Sequence, residues 1–389
     1  MIRSVAVIGA TGSIGANALQ VIGEHPSRFR AGVLAAHRNI EALVALCVRH
    51  RPEIAIIADK TLEAALARRL AAAGVSCEVA GGAEAIAQAT ASSACDTVIA
   101  ASAGVPGMAP ALAAARAGKR LLLANTESTV MAGPLLRQAL AQGGGQLIPL
   151  DNRHNAIFQC LSGTDLDTDR VRLTLIGSGG VFHGRRRGDL MTVGPEHLAT
   201  SPDRVRNPRA SVNAASLMDM GLGVIEAHHL FAVPVDRLDL LLQPEQRIYA
   251  VVEDAGNSPP VRLRSPGTRQ AMLDALTWPE RNHEARYLLE LPHAAPLAFE
   301  RLDMDTFRCP ALALQALRAG GDATTILNAA NEVAVAAFLA GSVPFLSIAD
   351  LIEQALMELP PQPVVDIQTL SERDRTAREA VRRVLRNAC

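Results

Sequence analysis

The stretch Gly9-Ala10-Thr11-Gly12-Ser13-Ile14-Gly15 follows directly on the apolar run Val5-Ala6-Val7-Ile8. A strand that feeds a glycine turn and then a helix restricts the fold more than any bulk property of the chain. The spacing, G-x-x-G-x-x-G, is that of a dinucleotide-binding unit. Gly9 and Gly12 let the backbone turn tightly and approach a pyrophosphate with no Cβ in the way. Gly15 lets the helix pack closely on the strand. The helix starting near Ser13 offers unpaired N–H groups and a partial positive charge to phosphate oxygens.

The surrounding pattern supports that context. Strand candidates are Val5–Ile8, Gly32–Ala35, Ile54–Ala58, Thr97–Ala100, Leu121–Ala124 and Gln146–Pro149, separated by Ala/Leu-rich helical segments. Short continuous apolar runs alternating with helices predict a parallel sheet covered on both faces, a Rossmann-like domain over residues 1–150. After the second strand an NAD site usually carries Asp or Glu for the ribose hydroxyls. This chain has His37-Arg38-Asn39. Arg38 suits the 2′-phosphate of NADP, the alternative being a solvated surface arginine.

From Asp151 the pattern changes. Val171–Ile176 alternates as a strand ending in Gly177-Ser178-Gly179-Gly180, Ala214–Leu230 reads as one helix, and Leu238–Leu242, Arg247–Val252 and Pro260–Leu263 suggest further strands. A central α/β catalytic domain is expected over 151–290, then a linker over 291–310. A C-terminal helical domain is expected over 311–389, with helices at Ala311–Ala319, Thr325–Leu339, Ile348–Met357 and Leu370–Leu385.

The 389 residues suffice for two or three full cores. A net charge of −1 with mixed signs implies no nucleic-acid or anionic-membrane partner. No apolar stretch is long enough to span a bilayer, and no secretory signal is read at the N-terminus. The six cysteines lack C-x-x-C spacing, so neither a zinc site nor a disulfide framework is expected, and a cytoplasmic protein is. The lysines are Lys60 and Lys119, and Lys119 lies at the end of a strand opposite the cofactor edge, so lysine-based covalent chemistry is not expected.

Several stretches resemble the 1-deoxy-D-xylulose 5-phosphate reductoisomerase family: Gly9–Gly15, Leu121–Ser128 (LLLANTES), Pro149–Gln159 (PLDNRHNAIFQ), Gly177–Gly180, and Ala323–Ala340 (ATTILNAANEVAVAAFLA). They run through the chain in the family's order. The resemblance implies NADPH, a small-molecule substrate, a homodimer, and a divalent metal on one Asp and two Glu that chelates two adjacent substrate oxygens. The skeleton then rearranges to an aldehyde that NADPH reduces. For the cofactor it implies Thr11, Gly12, Ser13, Ile14, Asn39, Asn125 and Glu127, with Arg38 in place of a common lysine, beside Gly9 and Gly15 of the turn.

Matched position by position, Asp151 fits the first metal ligand, while Arg153 and Gly223 stand where the family has its two glutamates. Thr126 replaces a substrate-contacting lysine. In the phosphate pocket Ser178 remains, but Ala214, Asp219 and Met220 replace Ser, Asn and Lys, and Ser201 replaces a histidine. A guanidinium and a glycine in place of two carboxylates leave little negative potential for a dication, so a divalent metal is not expected. Glu226 is either a displaced ligand or a position that carries no metal.

These residues lead to a site with Asp151, Arg153, His154 and Ser178 as catalytic candidates. Asn152, Arg153, Ser178, Asp219, Arg204 and Arg206 are the substrate contacts. Asp151 or His154 would donate a proton, His154 being alternatively structural. Arg153 with Arg204, Arg206 and Arg209 would hold a carboxylate or another anion, unless that loop is merely solvated. The expected function is NADPH-dependent, metal-independent hydride transfer to a different small polar or anionic substrate. The alternatives are the family's own reductoisomerase reaction with an altered site, and a non-catalytic NADPH-binding protein.

Overall fold

A computed structural model describes residues 2–161, 170–200, 207–245, 248–254, 262–264, 268–280 and 298–387. The chain forms two compact units. The first comprises Met1–Thr129, Gly133–Asn155 and Pro266–Arg286; the second comprises Val130–Ala132, Ala156–Ser265 and Tyr287–Cys389.

The first unit carries β1 (Arg3–Ile8), β2 (Phe29–Ala36), β3 (Ile54–Ile57), β4 (Glu78–Gly81), β5 (Thr97–Ala100), β6 (Arg120–Leu123) and β7 (Gln146–Pro149). They form a seven-stranded sheet in the order β4-β3-β2-β1-β5-β6-β7. All pairs are parallel. Ile8, Leu34, Ile56 and Ile99 are fully buried, as expected of strands covered on both faces. The chain steps outward in one direction from β1 to β4, then returns to the other side of β1 as β5. That reversal opens a crevice at the carboxyl ends of β1 and β5. The strand missing from the sequence reading is β4. It is an edge strand whose residues Glu78-Val79-Ala80-Gly81 are exposed or half-buried, so it has no apolar run to announce it.

The helix Thr268–Thr277, which falls within the range expected for the central domain and was not itself read from the sequence, belongs to the first unit. Its Ala271, Met272, Ala275 and Leu276 are buried, and Arg3 Nη1 donates to Leu276 O at 2.8 Å.

The second unit carries β8 (Val171–Gly177), β9 (Leu238–Leu242), β10 (Ala250–Asp254), β11 (Arg262–Arg264) and β12 (Glu300–Arg301), ordered β11-β10-β8-β9-β12. Only β8 and β9 pair in parallel; β10, β11 and β12 are antiparallel to their neighbours. The expected linker over 291–310 therefore contains an edge strand and the start of the helix Cys309–Ala319, while 291–297 lie outside the described residues.

The expected C-terminal helices are present as Cys309–Ala319, Ala323–Leu339, Ser347–Glu358 and Ile367–Asn387. They do not stand apart as a third body. Leu173 and Leu175 of the sheet share one core with Val224, Leu312, Ile326, Phe338, Ile352 and Val381. Packing thus unites the two regions that the sequence pattern separates at 291–310.

The single helix expected over Ala214–Leu230 is two, Pro208–Ala215 and Met218–Phe231. Leu217 between them takes the left-handed conformation, φ 58°. No glycine or proline marks the break. Burial of the Leu217 side chain offsets the backbone cost, which is roughly 1–2 kcal/mol for a residue with a Cβ.

Candidate active site

The glycine turn after β1 behaves as its spacing predicts. Gly9 has φ +88°, and a Cβ there would lie 2.7 Å from Ala101 O on the neighbouring β5 loop. A Cβ on Gly15 would overlap Gly9 O, so the helix Ser13–Glu24 comes as close to the turn as backbone allows. Gly12 is the N-cap and has no side chain to satisfy the first-turn amides of that helix. Gly12 N donates to Gly9 O at 3.0 Å, whereas Ser13 and Ile14, exposed and half-buried, leave the first-turn N–H groups open to an anion.

At the end of β2, Arg38 is mostly exposed and its Nε lies 3.1 Å from Asp59 Oδ2. Asp59 itself is fixed by Thr61, whose hydroxyl and amide donate to Oδ1 at 2.6 and 3.1 Å. Those bonds, helped by Arg38, lower the Asp59 carboxyl below its ordinary range. Arg38 is therefore tethered at one edge with its guanidinium facing solvent. Asn39 caps the helix Ile40–His50, its Oδ1 accepting from Ala42 N at 3.0 Å. Asn125 is buried and ties two loops together, donating to Ser102 O at 2.7 Å, Gly104 O at 3.2 Å and Glu127 Oε2 at 2.8 Å. Its Oδ1 accepts from Ser128 N at 2.7 Å.

Asp151 follows β7 and caps the helix Asn152–Leu161. Its Oδ1 accepts the amides of Arg153 and His154, both at 3.0 Å, and its Oδ2 lies 2.7 Å from His154 Nδ1. Burial of the carboxyl raises its pKa, but the His154 ring and amide and the Arg153 charge outweigh this and hold it well below the usual carboxylate range. His154 is almost wholly buried, whereas the Asp151 side chain is 46% exposed. An ionised carboxylate with one face open and its other contacts fixed is a pre-oriented oxygen donor. Asn155 anchors the turn through Nδ2 to Pro149 O at 2.9 Å.

Ser178 and Asp219 lie in the second unit, whereas Asp151, Asn152, Arg153 and His154 lie in the first. The Ser178 Oγ accepts from Gly180 N at 3.2 Å, and Gly179 and Gly180 have φ of +86° and +67°. Asp219 sits in the first turn of the helix Met218–Phe231, where a carboxylate also complements the helix dipole. Met220 is fully buried, and a Cβ on Gly177 would overlap its Sδ, so its side chain fills the space over the end of β8. Gly221 permits close approach to Ala313, whose Cβ would be 2.7 Å from a Cβ at that position. Gly223 is buried in the same helix. Arg209 lies 4.0 Å from Glu332 Oε2. Arg204, Arg206 and Ser201 lie outside the described residues.

Lys119 serves structure, as its position suggests: Nζ donates to Ser92 O and Cys95 O, both at 2.7 Å. The sequence reading missed Asp59, the partner of Arg38, although Asp59-Lys60-Thr61 after a strand is a readable Asx-turn signal. It also missed His183 and Glu300, whose partnership spans 117 positions and leaves no local signal.

Three family profiles cover most of the chain. They are 1-deoxy-D-xylulose 5-phosphate reductoisomerase over residues 5–133, its C-terminal domain over 147–231, and the DXP reductoisomerase C-terminal domain over 263–380. The 1-deoxy-D-xylulose 5-phosphate reductoisomerase of Xanthomonas campestris pv. campestris (strain 8004) is 47% identical over 99% of this chain and 97% of its own length. That of Paraburkholderia xenovorans (strain LB400) is 41% identical over 98% and 95%. The Zymomonas mobilis enzyme, solved with NADPH, superposes with a TM-score of 0.91 at 34% identity, covering 99% of both chains. A reductoisomerase solved with NADPH, fosmidomycin and magnesium superposes with a TM-score of 0.86 at 32% identity, covering 99% and 98%.

The magnesium in such relatives overturns the expectation that a divalent metal has no part here. The charge count at Arg153 and Gly223 weighed the protein's carboxylates alone and left out the oxygens that water and substrate bring to a hard cation. Asp151 fits such a cation by its ionisation and fixed orientation. Arg153 and Gly223 add no oxygen side chain, and among the described residues no group of three or more His, Cys, Asp or Glu is placed to hold a metal.

Proposed function

We propose, from the premise that this chain belongs to the 1-deoxy-D-xylulose 5-phosphate reductoisomerase family, that it is an NADPH-dependent oxidoreductase acting on 1-deoxy-D-xylulose 5-phosphate. The observation that carries this reading is the full-length match to reductoisomerases, joined to an intact nucleotide turn. The open amides after Gly12 would take the pyrophosphate, and the exposed guanidinium of Arg38 would take the 2′-phosphate. Asn125 and Glu127 hold the floor of the crevice in place.

Asp151 would hold the divalent cation, its carboxylate kept ionised by His154. Magnesium characteristically retains water and takes only one or two carboxylates along with substrate oxygens, so a single anchored ligand gives a weak site that substrate completes. When bound, the ion would stabilise negative charge on two adjacent substrate oxygens. Arg153 adds a fixed positive charge beside Asp151, toward an oxyanion. Asn152 and the Ser178 hydroxyl, with Arg204 and Arg206, bind the substrate's polar groups, and Asp219 accepts from a hydroxyl. A homodimer in the cytoplasm is the assembly and location this reading carries.

The test is NADPH oxidation by purified protein with 1-deoxy-D-xylulose 5-phosphate across a magnesium titration. Turnover is expected to need more magnesium than a three-carboxylate site would, and to prefer NADPH over NADH. A flat NADPH trace at every magnesium concentration contradicts the reading. A second reading, reduction of another small anionic carbonyl compound by the same cofactor, is favoured by Met220, which fills the space over Gly177 where the family resemblance puts a phosphate-binding lysine. It predicts faster NADPH oxidation with a carbonyl acid than with the sugar phosphate.

A further inference from the structure

His183 takes no part in the nucleotide or metal chemistry, yet it lies against the loop that carries Ser178. A Cβ on Gly179 would be 2.6 Å from His183 Cδ2 and 3.0 Å from Cγ, so the imidazole rests on the Gly179 backbone. The ring is held in place by Glu300: Nε2, the ring atom bonded to Cδ2, lies 2.8 Å from Glu300 Oε2. Glu300 pairs with Leu242 on β9, and Leu242 pairs with Gly177 at the end of β8. The carboxylate therefore stands at the sheet level from which the Ser178 loop departs, two strands across. At the next residue of the loop, a Cβ on Gly180 would overlap Ala214 O at the end of the helix Pro208–Ala215. The loop also closes on itself, with His183 N donating to Gly180 O at 3.3 Å and Gly180 N to Ser178 Oγ at 3.2 Å.

We propose that His183 is a positioning residue, latched by Glu300, that presses the Gly179-Gly180 backbone against the Pro208–Ala215 helix and so fixes the Ser178 hydroxyl for an anionic substrate. The proposal rests on reading Ser178 as a substrate contact. Two left-handed glycines in succession have wide conformational freedom, so this loop needs an external clamp to keep one shape. The helix supplies one jaw and the His183–Glu300 pair the other. Because the pair is partly exposed, its effect is modest, and it falls on substrate affinity rather than on the hydride step.

The experiment uses the full chain with NADPH. Backbone hydrogen exchange over 178–184 is measured by mass spectrometry, and affinity for 1-deoxy-D-xylulose 5-phosphate by calorimetry. Glu300→Ala and His183→Ala should each speed exchange about three- to fivefold and weaken affinity by a similar factor, the scale of one partly exposed ion pair. The kcat should stay within about twofold. His183→Gln, which keeps a donor for Glu300, should restore most of both. In a Ser178→Ala background, His183→Ala should weaken affinity no further. Unchanged exchange overturns the proposal, as does an affinity loss that adds in full to that of Ser178→Ala. Wild-type protein that binds no sugar phosphate refutes the proposed substrate instead, and the exchange rates then judge the latch by themselves.

Discussion

Two glycine turns leave the ends of two central strands in this molecule, and they are built in different ways. The turn after β1 is shaped by backbone against backbone: Gly9 against Ala101 O, and Gly15 against Gly9 O. The turn after β8 is shaped by side chains and a helix end: His183 on Gly179, Ala214 O against Gly180, and Met220 over Gly177. Backbone does not yield to a methyl group, whereas an imidazole can swing away. The first turn can serve one purpose, the approach of a pyrophosphate. The second can be retuned by changing the residues around it without losing the fold. The same asymmetry separates the Rossmann-like crevice from the positions that the family resemblance assigns to substrate and metal, Arg153, Asp219, Met220 and Gly223 among them.

The largest expected effect breaks the comparison if it fails to occur. Gly15→Ala should destabilise the protein by about 3 kcal/mol and abolish detectable NADPH binding, because no flexible group can move aside. Thermal melts and nucleotide fluorescence titration would check this. Asp151→Asn should lower turnover about 100-fold at fixed magnesium while leaving the NADPH dissociation constant unchanged, which places its effect outside the crevice. Gly179→Ala should cost only roughly 1–2 kcal/mol, the left-handed strain of an alanine with His183 displaced. Denaturant melts that rank it level with Gly15→Ala would erase the distinction between the two turns. Arg38→Ala should raise the KM for NADPH about tenfold and leave that for NADH nearly unchanged, as expected on losing one charge-assisted contact.

The smallest effect is in acid. Asp151 has a folded-state pKa below its ordinary value, so its stabilising contribution is fully present above the ordinary carboxylate range and disappears as pH falls through the lowered value. Asp151→Asn should therefore flatten the acid limb of the Tm–pH curve and leave its neutral region parallel to wild type.

The sequence made the first unit almost wholly legible, since buried parallel strands are continuous apolar runs and the G-x-x-G-x-x-G turn has a local cause. It missed β4, an exposed edge without that signature. The second unit was read less well. Leu217 breaks a helix with no glycine or proline to announce it, because tertiary burial holds the left-handed residue. The C-terminal helices fuse with the central sheet through contacts between residues far apart in the chain, to which periodicity is blind. In the candidate site, Asp151 was singled out through the family resemblance, but its capping of the helix Asn152–Leu161 was not read. The tether of Arg38 by Asp59 and the latch of His183 by Glu300 were not read. The metal was misjudged because charge was counted from the chain alone, without the oxygens that solvent and substrate bring.

One measurement bears most directly on the claim that an intact nucleotide crevice here drives reduction of the family's substrate. Protein is mixed with NADPH deuterated at the transferred position, magnesium and 1-deoxy-D-xylulose 5-phosphate, and the product is examined by mass spectrometry. The account predicts a reduced sugar phosphate carrying one deuterium, formed in step with oxidised cofactor and suppressed by chelator. Cofactor bound tightly, with neither oxidation nor label transfer at any magnesium concentration, would contradict it.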